Sequence, residues 1–185
     1  MYITDIFFDL DRTLWDFDLN AENTLVELCK TYDLLALGIK TNEFIKSYTL
    51  HNERLWSLYR ENKIKKEDLR SERFNLTLND FSVSNKELAI KLGEDYVHKC
   101  PLQTELFPNT FEILNYLKNK YNLHIITNGF EEVQNIKLKT SKLISFFDKI
   151  ITSEKVNAKK PDPKIFKYAL EQVNVKAENT IMIGD

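Results

Sequence analysis

The sequence predicts an α/β protein: a parallel sheet flanked by helices, interrupted after its first strand by an all-helical insert. Three observations predict it. Four short apolar runs read as strands: "YITDIFF" before Asp9, "LHIIT" at Leu123–Thr127, "KIIT" at Lys149–Thr152 and "TIMIG" at Thr180–Gly184. From Phe107 onward, helical and strand patterns alternate, which is the signature of an α/β domain. From about Leu19 to Cys100 the patterns are helical only.

The first strand shows some alternation and the other three lack a polar face, as expected of strands covered on both sides. The insert divides into "NAENTLVELCKTY", with Asn20 as a possible cap, then "NEFIKSYTLHNERLWSLYREN", "KKEDLRSERFNLTLNDF" and "SNKELAIKLGEDYVHK". The last opens with Ser84 and Glu87 in capping-box spacing. A bundle of about four helices follows from these patterns. After it, "PNTFEILNYLKNKY" sets Phe111, Leu114 and Leu117 on one stripe. "EEVQNIKLKTS" follows the second strand. In "DPKIFKYALEQV", Asp162 is the expected N-cap and Pro163 the first helical residue, with Ile165, Phe166, Ala169, Leu170 and Val173 facing inward. Residues 1–18 and 101–185 therefore read as a discontinuous core domain and residues 19–100 as a helical domain.

The totals exclude several classes. The chain has 185 residues and a formal net charge of −2, so no basic field points to a nucleic-acid polymer or a membrane surface. No apolar run approaches the ~18 residues of a membrane helix, and "MYITDIFF" lacks the basic and apolar regions of a secretory signal. Cys29 and Cys100 make no disulfide framework and read as reduced thiols, which suits a cytoplasmic protein.

Asp9 and Asp11 follow the first strand, Thr127-Asn128-Gly129 closes the second, Lys160 lies in "KKPDPKIF" after the third, and Gly184-Asp185 closes the fourth. In an open α/β sheet the carboxyl edge is where ligands bind. Each motif alone fits a turn or an exposed charge; their joint order on one edge points to phosphoryl transfer. That reaction needs positioning and charge neutralisation. Asp9 would be the nucleophile. Asp11, two residues on and pointing the same way along an extended chain, would be the acid and base, an effect of roughly 10²–10⁴-fold. Thr127 and the backbone N–H groups of Leu10 and Asn128 would hold phosphoryl oxygens, with Lys160 as a fixed cation. A hard cation such as Mg²⁺ must bridge the anions, taken by Asp9 and Asp185.

"DLDRTL", "ITNG", "KKPDPKIF" and "MIGD", in this order and with a helical insert after the first, resemble the haloacid dehalogenase-like (HAD) hydrolase superfamily. The resemblance implies a Rossmann-like core with a mobile helical cap. It also implies Asp9 as nucleophile, Asp11 as acid and base, phosphate contacts at Thr127 and Lys160, and Mg²⁺ on Asp9, Asp185 and the backbone carbonyl of Asp11. "DLDRTLWDF", "NERLWSLYRENKIKKEDLRSERF" and "ITNGFEEVQNIKLKTSKL" are similar to the bacterial pyrimidine 5′-nucleotidases. That implies a small phosphomonoester substrate, a nucleoside 5′-monophosphate; a monomer is expected, with a weak dimer as the alternative. Sugar-phosphate phosphatases and phosphomutases share the motifs and remain alternatives. A dehalogenase needs no leaving-group acid, so Asp11 argues against it.

The family pattern continues past Gly-Asp with another acidic residue and further elements. The chain is expected to be a C-terminally truncated form, with weaker Mg²⁺ binding and with some of Ile181, Met182 and Ile183 facing solvent. A fragment that only binds phosphate is the non-enzymatic alternative. Arg12, often Gly in the family, is expected on the surface of its turn, with a charge at the cap entrance as the other reading. Trp15, Phe17 and Trp56 are candidates for stacking on a base, with packing as the other reading of each.

Overall fold

A computed structural model describes residues 2–185. The elements run β1 (Asp5–Phe8), α1 (Phe17–Thr31), α2 (Thr41–Arg60), α3 (Lys66–Asp80), α4 (Lys86–Lys99), α5 (Thr110–Lys118), β2 (Asn122–Thr127), α6 (Glu131–Thr140), β3 (Lys149–Thr152), α7 (Ser153–Val156), α8 (Pro163–Val173) and β4 (Thr180–Ile183). The strands form one parallel sheet in the order β3-β2-β1-β4. Parallel neighbours need crossover connections, and here these are the helices between the strands. The chain divides into two compact units: one runs up to Leu19 and resumes at Pro101–Asp185, and the other is Asn20–Cys100.

The sheet unit is built around buried Phe7, Ile126, Ile151, Val156, Ala158, Ile165 and Ala169, with Phe166, Tyr168, Leu170 and Val173 packed against them. β1 is buried along its whole length. Asp162 caps α8 as expected, accepting from the Lys164 N–H at 2.8 Å, with Pro163 next in line. β4 has the composition of a covered strand but shows the exposure expected of Ile181, Met182 and Ile183. It pairs only with β1. In α5 the expected stripe also opens: Leu114 is buried while Phe111 is exposed. An apolar groove runs between these two elements, lined by Ile6, Phe8, Ile113, Leu117, Ile181 and Ile183.

The helical unit packs Phe44, Tyr48, Leu55, Leu69, Phe74, Leu78, Leu92 and Tyr96 inward. Two helix starts differ from the sequence expectation. α1 begins at Phe17 and not at Asn20, because Asp16 accepts from the Leu19 N–H at 3.1 Å and starts the helix a turn earlier. α4 is capped by Asn85, which accepts from the Leu88 N–H at 3.0 Å, in place of Ser84.

Candidate active site

β1 carries Phe8 to the carboxyl edge of the sheet, and Asp9 is the next residue. The Asp9 N–H donates to the Ile183 carbonyl at 2.8 Å, extending the β1–β4 pairing by one residue. The backbone approaches closely here. A methyl group on Gly184 would lie 3.3 Å from Asp9 Cβ, which only a side chain-free residue avoids without displacement. The pairing thus brings the end of β4, with Asp185 following Gly184, to the residue that ends β1.

Beyond Asp9 the chain turns sharply. The Leu10 carbonyl accepts from the N–H groups of Thr13, Leu14 and Trp15 at 3.4, 3.0 and 2.9 Å. Arg12 sits in this turn at φ 60, a left-handed position that costs a side chain-bearing residue and favours glycine. Its guanidinium pairs with Asp18 at 2.8 Å and lies over the Phe17 ring.

The Asp9 carboxylate has two partners. Oδ1 accepts from the Leu10 N–H at 2.8 Å, and Oδ2 lies 2.7 Å from Lys160 Nζ. The Leu10 N–H, expected to hold a phosphoryl oxygen, is thus engaged by the preceding side chain. Burial pushes the Asp9 carboxyl above the usual carboxylate range. The Lys160 charge and hydrogen bond and the Leu10 N–H pull it back, while the charge of Asp11 adds to the rise.

Lys160 is fixed through its backbone. Asn128 Oδ1 accepts from the Lys160 N–H at 2.7 Å, and Asn128 Nδ2 donates to the Lys160 carbonyl at 3.0 Å. Asn128 therefore ties the loop before α8 to the end of β2. Thr127, the last residue of β2, is buried. Its Oγ1 accepts from the Gly129 N–H at 3.1 Å and from Gln134 Nε2 at 2.7 Å, which leaves its own proton to donate.

Asp11 faces α6. Its Oδ1 lies 2.5 Å from Lys137 Nζ, and its Oδ2 accepts from Gln134 Nε2 at 2.8 Å. Sequence reasoning passed over both α6 residues. Gln134 and Lys137 look like ordinary surface positions in "EEVQNIKLKTS"; their signal is a spacing of three on a helix that starts just after Thr-Asn-Gly.

Of the expected specificity residues, Trp15 is corrected. It is fully buried, its Nε1 donates to the Gln103 carbonyl at 3.3 Å, and Lys137 Nζ lies 4.0 Å from its ring centroid. No face is open for a base to stack on. Phe17 is half-buried with its ring centroid 6.3 Å from that of Trp15. Trp56, half-buried on α2, meets Tyr59 edge-on at 5.6 Å. His51 Nε2 pairs with Asp80 at 2.9 Å.

Among the described residues no group of three or more His, Cys, Asp or Glu side chains is gathered to hold a metal. A cation here would rest on the Asp9 and Asp185 carboxylates, the Asp11 backbone carbonyl and water. That oxygen-only donor set fits Mg²⁺, which keeps several waters, and not Zn²⁺. No helix among the described residues is long and apolar enough to cross a membrane.

Comparison with known proteins supplies relatives. Residues 6–185 match the family described as haloacid dehalogenase-like hydrolase. The chain is 31% identical over 183 residues to the pyrimidine 5′-nucleotidase YjjG of Escherichia coli (strain K12), covering 97% of this chain and 76% of that protein. It is 32% identical over 183 residues to the glyceraldehyde 3-phosphate phosphatase of Methanothermobacter thermautotrophicus, with the same shares of each. The crystal structure of the HAD-hydrolase YfnB from Bacillus subtilis bound to magnesium superimposes with a TM-score of 0.90 at 26% identity, covering 100% of this chain and 81% of that one.

Proposed function

This chain belongs to the haloacid dehalogenase-like hydrolase family, and from that premise we propose that it is a Mg²⁺-dependent phosphatase acting on a nucleoside 5′-monophosphate through an aspartyl-phosphate on Asp9. The observation that carries the reading is the Asp9–Lys160 contact of 2.7 Å beside Gly184, on a sheet edge that also holds Thr127. A carboxylate held against a fixed cation at the strand ends is arranged to meet an anion there.

In the first half-reaction an Asp9 carboxylate oxygen attacks phosphorus. The bond from phosphorus to the ester oxygen breaks, and that oxygen takes a proton from the Asp11 carboxyl. In the second, water attacks the same phosphorus, its proton passes to the Asp11 carboxylate, and the bond to Asp9 breaks to release inorganic phosphate. The Thr127 hydroxyl donates to a phosphoryl oxygen, and Lys160 balances the charge. Asp9, Asp185 and the Asp11 carbonyl would hold Mg²⁺, whose charge offsets the repulsion between phosphate and carboxylate.

The nucleotide preference is supported by the likeness to the Escherichia coli pyrimidine 5′-nucleotidase and by the similar stretches across the helical unit, which we assign as the cap. The likeness to a glyceraldehyde 3-phosphate phosphatase keeps a sugar phosphate as the second reading. Free Cys29 and Cys100 suit a cytoplasmic setting. Mg²⁺-dependent release of phosphate from an aryl phosphate tests the chemistry: Asp9→Asn should abolish it, and near-normal turnover would exclude Asp9 as nucleophile. A panel of nucleotides and sugar phosphates tests the substrate, and equal or better turnover of the sugar phosphates would remove the nucleotide reading.

A further inference from the structure

Both oxygens of the Asp11 carboxylate are held by α6. Lys137 Nζ takes Oδ1 at 2.5 Å and Gln134 Nε2 takes Oδ2 at 2.8 Å. The two α6 residues are three apart, so their side chains lie on one face of the helix. Both are withdrawn from solvent: Gln134 is fully buried and the Lys137 side chain is 4% exposed. Burying an ammonium is costly unless it is paired, and here the charge meets Asp11 on one side and the Trp15 ring on another, 4.0 Å from its centroid. A lysine put there for solubility would reach water instead.

Gln134 has a second contact that Lys137 lacks. The same Nε2 donates to Thr127 Oγ1 at 2.7 Å, so one amide nitrogen joins the hydroxyl at the end of β2 to the carboxylate after β1. Room for it is made by Gly129. A methyl group there would fall 2.2 Å from Gln134 Nε2 and 2.9 Å from its Cγ, so any side chain would evict the amide. Space, charge and hydrogen bonds converge on keeping Asp11 in one orientation.

We infer that Lys137 and Gln134 are positioning residues for the proton-transfer carboxylate, acting through Asp11 and, for Gln134, Thr127. The inference rests on the phosphatase reading and deepens it. Lys137 acts through Asp11: it fixes where that carboxylate stands when the ester oxygen leaves and when water attacks. Its removal should therefore slow chemistry without weakening substrate binding.

The test is a double-mutant cycle in the full chain with Mg²⁺, using a phosphomonoester the wild type turns over. Lys137→Met should lower kcat about tenfold or more while KM moves less than about threefold, a loss no larger than that of Asp11→Asn. Added to Asp11→Asn, it should cost less than about twofold further, because its route to the reaction is already gone. Additive losses, or a loss confined to KM, would overturn the inference. Should Lys137→Met not fold, Gln134→Met takes its place with the same kcat and KM expectations, and on Asp11→Asn it should lose less than the sum of the two single losses, its Thr127 contact being the part that remains. A second readout is independent of turnover. In lysine-labelled protein the Lys137 ammonium resonance should shift on Asp11→Asn, and an unmoved resonance also overturns the inference. A wild type that hydrolyses no phosphomonoester while that resonance shifts would sink the phosphatase reading and leave the pairing standing.

Discussion

Lys160 Nζ stands 2.7 Å from Asp9 Oδ2, with both side chains largely withdrawn from water at 17% and 15% exposure. The pair joins two loops far apart in sequence, and Asn128 holds the lysine backbone in place. Lys160→Met should lower kcat by roughly 10²–10³-fold, the range for loss of one preorganised charge-stabilising group. It should also move the acid limb of kcat/KM to higher pH. Burial already raises the Asp9 carboxyl, and the strongest opposing influence is Lys160, so its removal lets the carboxyl rise further. A pH–rate profile of the variant checks both, and an unmoved acid limb would mean that Lys160 does not set the charge of Asp9.

At the other end of β1, Asp5 is buried and its Oδ1 accepts from His124 Nε2 at 2.9 Å and from Asn122 Nδ2 at 3.2 Å. Burial raises this carboxyl, but hydrogen bonds from Thr4, His124 and Asn122 outweigh it and hold the group below its ordinary value. A carboxyl lowered by folding adds stability above its unfolded pKa of about 3.9, and that stability is lost as pH falls through the folded value. Asp5→Asn should therefore cost about 1–3 kcal/mol at pH 7, and the gap to wild type should narrow below about pH 4. Thermal melts across that range would show it; a gap constant with pH would mean that the Asp5 charge plays no part.

In the helical unit Arg73 is buried, with Nη1 donating to Asn52 Oδ1 at 3.2 Å and its guanidinium 4.6 Å from the Tyr96 ring centroid, 5.6 Å from Phe74 and 5.8 Å from Tyr48. Aromatic faces here do what a carboxylate does elsewhere. Arg73→Ala should destabilise this unit by roughly 3 kcal/mol through the cavity and the lost cation–π contacts. Arg73→Met, which fills the space without the charge, should cost less. Hydrogen exchange should report the loss within 20–100 and leave β1 and β2 protected; equal loss in both units would contradict it.

The strands were legible because β1, β2 and β3 are Ile- and Phe-rich runs ended by Asp, Asn or Ser, with β1 and nearly all of β2 buried. The exposure of Ile181, Met182 and Ile183 was expected from the family pattern and not from the run itself, since "TIMIG" has the composition of a covered strand. Asp9, Thr127 and Lys160 stand out because strand ends followed by polar residues mark the ligand edge. Gln134 and Lys137 do not, since a polar residue on a helix reads as solvated until tertiary packing buries it. Trp15 failed in the opposite direction. An aromatic beside the motif looked available for stacking, yet the turn anchored on the Leu10 carbonyl folds it inward beneath Lys137.

The central claim is that Asp9 bonds to phosphorus. Rapid quenching of the Mg²⁺-loaded protein during turnover of a phosphomonoester, followed by peptide mass spectrometry, reads this directly. A phosphoryl group on the peptide carrying Asp9, absent in Asp9→Asn, is the result the account predicts. Full turnover with that peptide never phosphorylated would contradict it.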